Sequence, residues 1–76
     1  MFRVRIHPSR QEQVEEVVME VQDRLPEDVP VPRVLGRSLM VPVFPETIEV
    51  LHQEFLDRGL SGLARKVIDP VLWRTA

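Results

Sequence analysis

Apolar and polar residues alternate at the start of the chain, in the order Phe-Arg-Val-Arg-Ile-His over residues 2–7. A period of two is typical of a β-strand with one face buried and the other exposed. The pattern therefore predicts a first strand over residues 2–7. Because neighbouring side chains of a strand point to opposite faces, Arg3, Arg5 and His7 are predicted to lie on its exposed face.

The next segment has the spacing of an amphipathic helix. Its apolar residues recur every three or four positions, and acidic residues fill the remaining arc. Ser9 precedes Glu12 by three residues, which is the spacing of a capping box, and Pro26 cannot continue a helix. We predict a helix from about residue 10 to residue 24. Its apolar stripe consists of Val14, Val17, Val18, Val21 and Leu25.

Two short apolar runs follow a proline-rich connection. They cover residues 31–35 and 39–43, and Gly36 and Arg37 lie between them. A glycine at the first central position suits a type II′ hairpin turn. Pro42 cannot donate a hydrogen bond to a neighbouring strand, so we expect the third strand to be at an edge or to be interrupted there.

The last third of the chain predicts a second helix and a shorter helical turn. Pro45 suits the first position of the helix, and Gly59 is placed to end it. Ser61 is predicted to cap the helical turn, which Asp69-Pro70 ends. The segment from Val71 to Arg74 can form either a last short strand or an ordered tail. The apolar stripe of the second helix is Ile48, Leu51, Phe55 and Leu56.

The predicted order is β-α-β-β-α, with a possible final strand. This order favours a two-layer α+β sandwich, in which two helices cover one face of a mostly antiparallel sheet. If residues 71–74 pair into the sheet, the layout is ferredoxin-like, and if they do not, it is a three-stranded variant. At 76 residues, the chain has room for a single domain, residues 1–76.

The amino-acid composition indicates the compartment and the kind of organism in which the protein is expected to work. There is no cysteine, which excludes disulfides and thiolate zinc sites, and no apolar run approaches the length of a membrane span. The alternating N-terminus does not resemble a signal peptide. We therefore expect a soluble, cytoplasmic protein. Asparagine and tyrosine are also absent and nine of the ten basic residues are arginine, which indicates a thermophilic source.

Charge is unevenly distributed along the chain. Residues 10–28 carry a net charge of −5, whereas residues 1–9 and 29–44 carry +2 each. The predicted first helix is thus acidic and the predicted strands are basic. An exposed basic sheet face fits an acidic partner, although an exposed sheet face must be polar in any case. The predicted partner-binding residues are Arg3, Arg5, His7, Arg33 and Arg37.

Several residues that could carry chemistry have simpler interpretations. Glu49 and His52 have the spacing of a di-iron motif, but one copy is not a metal site, and His52 borders the apolar stripe. His7 and Ser9 lack the acid that would orient a catalytic triad. We therefore predict neither enzyme activity, nor a metal, nor a cofactor. Trp73 is expected to cover the core rather than to stack on a ligand.

Two segments remain open to a binding interpretation. Residues 59–62, Gly-Leu-Ser-Gly, resemble a loose phosphate-binding turn, but they lack the lysine and the preceding strand of a P-loop. Residues 46–68 could form a helix-turn-helix, although the second helix is short and the first is acidic.

No single motif in the chain determines its function. The first hypothesis is a non-enzymatic binding or regulatory module that acts through protein contact and self-associates, as a homodimer, through the open sheet face. Small size favours association because a short chain buries little core of its own. The alternative is binding of RNA or DNA by the arginines of the sheet face or by the helix-turn-helix.

Overall fold

The computed structural model describes residues 1–74, which contain three strands and four α-helices. A 3₁₀ turn, Pro8–Arg10, precedes the first helix. The strands are β1 (Phe2–Arg5), β2 (Arg33–Leu35) and β3 (Ser38–Val41). The helices are α1 (Gln11–Arg24), α2 (Pro45–Asp57), α3 (Ser61–Val67) and α4 (Pro70–Arg74).

The sheet has the order β1-β3-β2, and both outer strands run antiparallel to β3. The predicted α+β class is confirmed. Helix α1 connects the two outer strands, which are separated by β3, as in a split β-α-β unit. Within residues 1–74 the sheet has three strands, which corresponds to the three-stranded alternative.

One hydrophobic cluster joins the sheet to the helices. The inward residues of β1 and β3 are buried, as are the apolar residues of α1, α2 and α3 that contact them. The helices therefore cover one face of the sheet and leave the other uncovered. The fully buried members with the largest side chains include Phe55, Ile6, Leu39 and Leu51.

The start of α1 differs from the predicted capping box. Pro8 begins the 3₁₀ turn that follows β1, so Ser9 lies inside a helical segment and cannot act as its cap. His7 takes this role instead, because its Nδ1 accepts the backbone N–H of Ser9 at 3.2 Å. Arg10 precedes α1 without a side-chain cap. The first strand also ends at Arg5, two residues earlier than predicted.

The hairpin follows the prediction in its turn but is shorter than predicted. Gly36 has φ +61°, and among residues 1–74 no non-glycine residue has a positive φ. This agrees with a positive φ at the first central position alone, as in a type II′ turn. β3 ends at Val41, immediately before Pro42. The interruption expected at Pro42 is thus confirmed, although β3 is the central strand of the sheet.

Helix α2 ends in a Schellman motif at Gly59. The glycine has φ +74°, and its N–H donates to the Leu56 carbonyl at 3.0 Å. The N–H of Leu60 donates to the Phe55 carbonyl at 2.8 Å, which completes the motif. Leu60 and Phe55 are both buried, whereas Leu56, which was predicted to belong to the buried stripe, is 44% exposed.

The C-terminal segment is helical, so the alternative of a fourth strand is wrong. Asp69 Oδ1 accepts the N–H of Val71 at 3.0 Å, and Pro70 occupies the first helical position. Asp-Pro therefore starts α4, besides ending α3. The predicted cap at Ser61 is also wrong, because Leu60 is the N-cap of α3 and Ser61 is already helical. Residues 75–76 lie outside the described range.

Trp73 anchors α4 to the rest of the molecule. Its indole Nε1 donates to the Val67 carbonyl at 2.8 Å, and its ring packs against the core cluster. This agrees with the prediction that Trp73 covers the core. Among residues 1–74, no helix combines the length and the apolar character needed to cross a bilayer.

Candidate interaction surface

The uncovered face of the sheet carries a row formed by one residue from each strand. Met40 of β3 is paired with Arg3 of β1 on one side and with Arg33 of β2 on the other. Neighbouring strands are about 4.8 Å apart, so the two arginine Cα atoms lie about 10 Å from one another. Both arginines are exposed and Met40 is half-buried between them. A methionine flanked by two cations thus occupies the centre of the face.

A second row lies next to the first one. Ser38 of β3 is paired with Arg5 and with Leu35, whose side chain is 58% exposed. Together the two rows define the open face: Arg3, Arg5, Arg33, Leu35, Ser38 and Met40. It combines three cations with apolar surface and contains no carboxylate.

The arginines of the open face have no ionic partner within residues 1–74. The ion pairs in this range are made by Arg24 and Arg58, which contact glutamates of α1 and α2. Arg3, Arg5 and Arg33 are therefore uncompensated locally, and their potential extends into solvent.

His7 and Arg37, the other two predicted partner-binding residues, lie beyond the edge of the open face. The imidazole of His7 turns back to Ser9, with Nδ1 2.7 Å from the Ser9 hydroxyl. Arg37 lies in the hairpin turn, where its carbonyl accepts the N–H of Ile6 at 2.7 Å. The structure thus places three of the five predicted residues on one surface and two at the end of the sheet.

The end of the sheet borders a cleft that the sequence alone did not reveal. Its volume is about 280 Å³, and a neighbouring depression shares Arg5, His7 and Lys66 with it and adds Arg37. We call the two together the basic cleft. Its main part is lined by Arg5, His7, Arg10, Gly59, Leu60, Ser61, Gly62, Leu63 and Lys66.

The opposite side of the molecule is acidic. The glutamates of α1 and Asp23 are exposed on the side of the helix that faces away from the core. Two ion pairs connect this helix to α2: Arg24 to Glu54 at 2.6 Å, and Arg58 to Glu16 at 3.1 Å. The exposed acidic residues of α1, which we call the acidic layer, are Glu12, Glu15, Glu16, Glu20 and Asp23.

An apolar groove lies between α2, α3 and α4. Its volume is about 450 Å³, and among residues 1–74 Glu49 is the one charged residue of its lining. Ile68 is 41% exposed there and Val43 is 48% exposed. The other lining residues are Phe44, Pro45, Ile48 and Trp73.

The residues considered for chemistry have structural contacts. His52 is half-buried, and its Nδ1 lies 3.0 Å from the Ala64 carbonyl, so it connects α2 to α3.

Within residues 1–74, no three histidine, aspartate or glutamate side chains are grouped closely enough to hold a metal ion. Helices α2 and α3 form the two arms of the predicted helix-turn-helix, but α3 has only seven residues.

Comparison of the chain with protein-family models, with curated proteins and with solved structures gave no match.

Proposed function

We propose that the chain is a non-enzymatic binding module that acts through protein contact, with the open face as its contact surface. The observation that carries the proposal is the arrangement of Arg3, Arg5 and Arg33 around the apolar Met40 and Leu35, with no carboxylate among them. Arginine and methionine are both enriched in protein interfaces, where arginine combines charge with apolar contact. We propose the cytoplasm as its place of action, because a chain without cysteine needs no oxidising compartment to fold.

The charge pattern favours an acidic partner surface. The acidic layer of a second copy has the required charge, because α1 presents five carboxylates on the side opposite to the open face. Pairing two open faces about a two-fold axis would instead bring three arginines from each copy together, which like-charge repulsion opposes. We therefore propose self-association in which the open face of one copy contacts the acidic layer of the next.

Sedimentation velocity over a range of concentrations tests this proposal. At about 20 mM salt the protein is expected to form dimers or larger species, and at about 500 mM salt, where the Debye length is about 4 Å, it is expected to dissociate. The double variant Arg3→Gln/Arg33→Gln should weaken association because it removes both cations beside Met40. A monomer at every concentration at low salt would contradict the proposal.

The matched control removes two exposed cations that lie outside the sheet. Arg65→Gln/Arg74→Gln changes the net charge by the same amount, but its residues belong to α3 and α4. It should leave association within about twofold of the wild type, because charges outside the contact act only at long range. An equal loss in both double variants would indicate a general effect of net charge rather than a contact at the open face.

A second candidate function is binding of single-stranded nucleic acid. The observation that favours it is the continuity of the open face with the basic cleft, since Arg5 belongs to both. Base stacking would need exposed aromatic residues, and Phe2 and Phe55 are buried. Fluorescence anisotropy with labelled RNA and DNA at low salt tests this function, which requires a steep loss of affinity with rising salt.

A further inference from the structure

We propose that the basic cleft is a binding site for the phosphate group of a small phosphorylated ligand. This site shares Arg5 with the open face, but its other residues lie outside the proposed protein contact.

Three parts of the chain that are distant in sequence meet at the cleft. The end of β1 and the following 3₁₀ turn contribute Arg5, His7 and Arg10, and the connection from α2 to α3 supplies the opposite wall. Helix α3 adds Lys66, and the hairpin turn adds Arg37 at the neighbouring depression. The fold thus collects cations from three parts of the chain around one concave site.

The described residues that line the cleft carry charge of one sign. Neither lining contains an aspartate or a glutamate, and within residues 1–74 none of its arginines or Lys66 makes an ion pair. Like charges that converge without partners repel one another, and a cleft focuses their field. A bound anion would remove this repulsion. The repulsion therefore favours a site that holds an anion.

The side chains offer donors suited to a phosphate group. Nδ1 of His7 accepts the Ser9 N–H, so the proton of the neutral ring lies on Nε2, which is then a donor. Arg10 donates one N–H to Gln13 Oε1 at 3.3 Å, and its planar guanidinium has further N–H groups. Ser61, whose hydroxyl can donate a hydrogen bond, also lines the cleft. Arginine forks and a lysine ammonium are the groups that proteins use for phosphate oxygens.

The size of the cleft points to a small molecule rather than to a polymer. The main part of the cleft has a volume of about 280 Å³, and the neighbouring depression has one of about 370 Å³. Both values are close to the lower end of the volumes of small-molecule pockets, which begin at about 300 Å³. A phosphate or diphosphate with a small organic group fits that volume. A nucleic-acid strand, in contrast, would extend along the open face.

A titration followed by ¹H–¹⁵N NMR tests the proposal with inorganic pyrophosphate as the probe and with ionic strength held constant by chloride. Pyrophosphate is expected to cause saturable shifts at the backbone amides of Gly59, Ser61 and Gly62. Arg10→Gln/Lys66→Gln should weaken binding by about tenfold or more, because it removes two charge-assisted contacts. Arg65→Gln, which removes an exposed cation next to Lys66 but outside the lining, should change affinity by less than about twofold.

Two results would overturn the proposal. One is the absence of saturable shifts, and the other is an equal loss of affinity in Arg65→Gln and in the double variant. If the double variant does not fold, as judged by loss of a dispersed spectrum, Lys66→Glu alone replaces it in the comparison with Arg65→Gln. Lys66 is at an exposed helix position, so this change should leave the fold intact.

Two further titrations distinguish the possible sources of the phosphate group. A nucleoside diphosphate should shift the same amides as pyrophosphate. A single-stranded oligonucleotide that binds more tightly and shifts Arg3 and Arg33 instead would assign the phosphate contacts to nucleic acid on the open face, and would overturn the small-ligand site. The proposed protein contact is tested separately from this site, because it depends on Arg3 and Arg33 and not on Arg10 and Lys66.

Discussion

At the scale of single residues, backbone conformation distinguishes two glycines that lie close together. Gly59 adopts φ +74° to complete the Schellman motif, whereas Gly62 lies within α3 and has no positive φ. A Cβ built on either glycine meets no heavy atom within 4 Å, so steric contact does not separate them. Any difference in stability between alanine variants of the two glycines must therefore come from the backbone conformation.

We expect Gly59→Ala and Gly62→Ala to have opposite effects on the free energy of unfolding. Gly59→Ala should lower it by about 1 to 2 kcal/mol, because an L-residue is strained in the left-handed conformation. Gly62→Ala should raise it by up to about 1 kcal/mol, because alanine loses less backbone entropy in a helix. Urea unfolding of the two variants measures both values. Equal destabilisation by the two changes would contradict the assigned end of α2.

The buried hydroxyl of Thr47 makes a hydrogen bond between distant parts of the chain. Thr47 is fully buried, and its Oγ1 donates to the Pro30 carbonyl at 2.5 Å, which ties the start of α2 to the proline-rich connection. Threonine gives no sequence signal for this role, because its partner is 17 residues away in the chain. Such contacts depend on the tertiary structure and cannot be inferred from spacing.

At the scale of elements, α4 depends on a cap and on an indole contact. Asp69 Oδ1 satisfies the N–H of Val71, and Trp73 Nε1 donates to the Val67 carbonyl. A helix of five residues is too short to be stable by itself, so these contacts must hold it.

We expect Asp69→Ala to release α4, because the change removes a cap that contributes about 0.5 to 2 kcal/mol. The chain contains one tryptophan, so its fluorescence reports on this helix directly. The emission maximum of Asp69→Ala should shift to longer wavelength as Trp73 becomes solvated. Asp69→Asn is the control, since asparagine retains an acceptor and should keep the wild-type spectrum. A wild-type spectrum in Asp69→Ala would show that the cap is not needed.

The sequence predicted elements better than it predicted their ends. Hydrophobic periodicity located β1, α1 and α2 because each presents one apolar face to a common core. The predicted ends of elements were wrong where one residue type can play two structural roles. Ser9 at capping spacing lies inside a 3₁₀ turn because Pro8 starts that turn, and Asp69-Pro70 both ends one helix and starts the next. Local spacing does not distinguish such uses.

At the scale of the whole molecule, the fold separates charge between its two sides. The alternation of β1 correctly placed Arg3 and Arg5 on the uncovered face, because the apolar residues between them must be buried. The basic cleft was not predictable in the same way. Its lining combines Arg10 with Lys66, and only the packing of α3 near the end of β1 brings them together.

The open face is proposed to contact an acidic protein surface, that of a second copy of the chain. Backbone ¹H–¹⁵N spectra recorded over a range of protein concentrations at low salt test this most directly. We predict concentration-dependent shifts at two separate places, around Arg3, Met40 and Arg33 on the open face and along the acidic layer of α1. Both sets of shifts should be lost at high salt. Spectra that do not change with concentration, or shifts confined to the apolar groove at Val43 and Ile68, would contradict it.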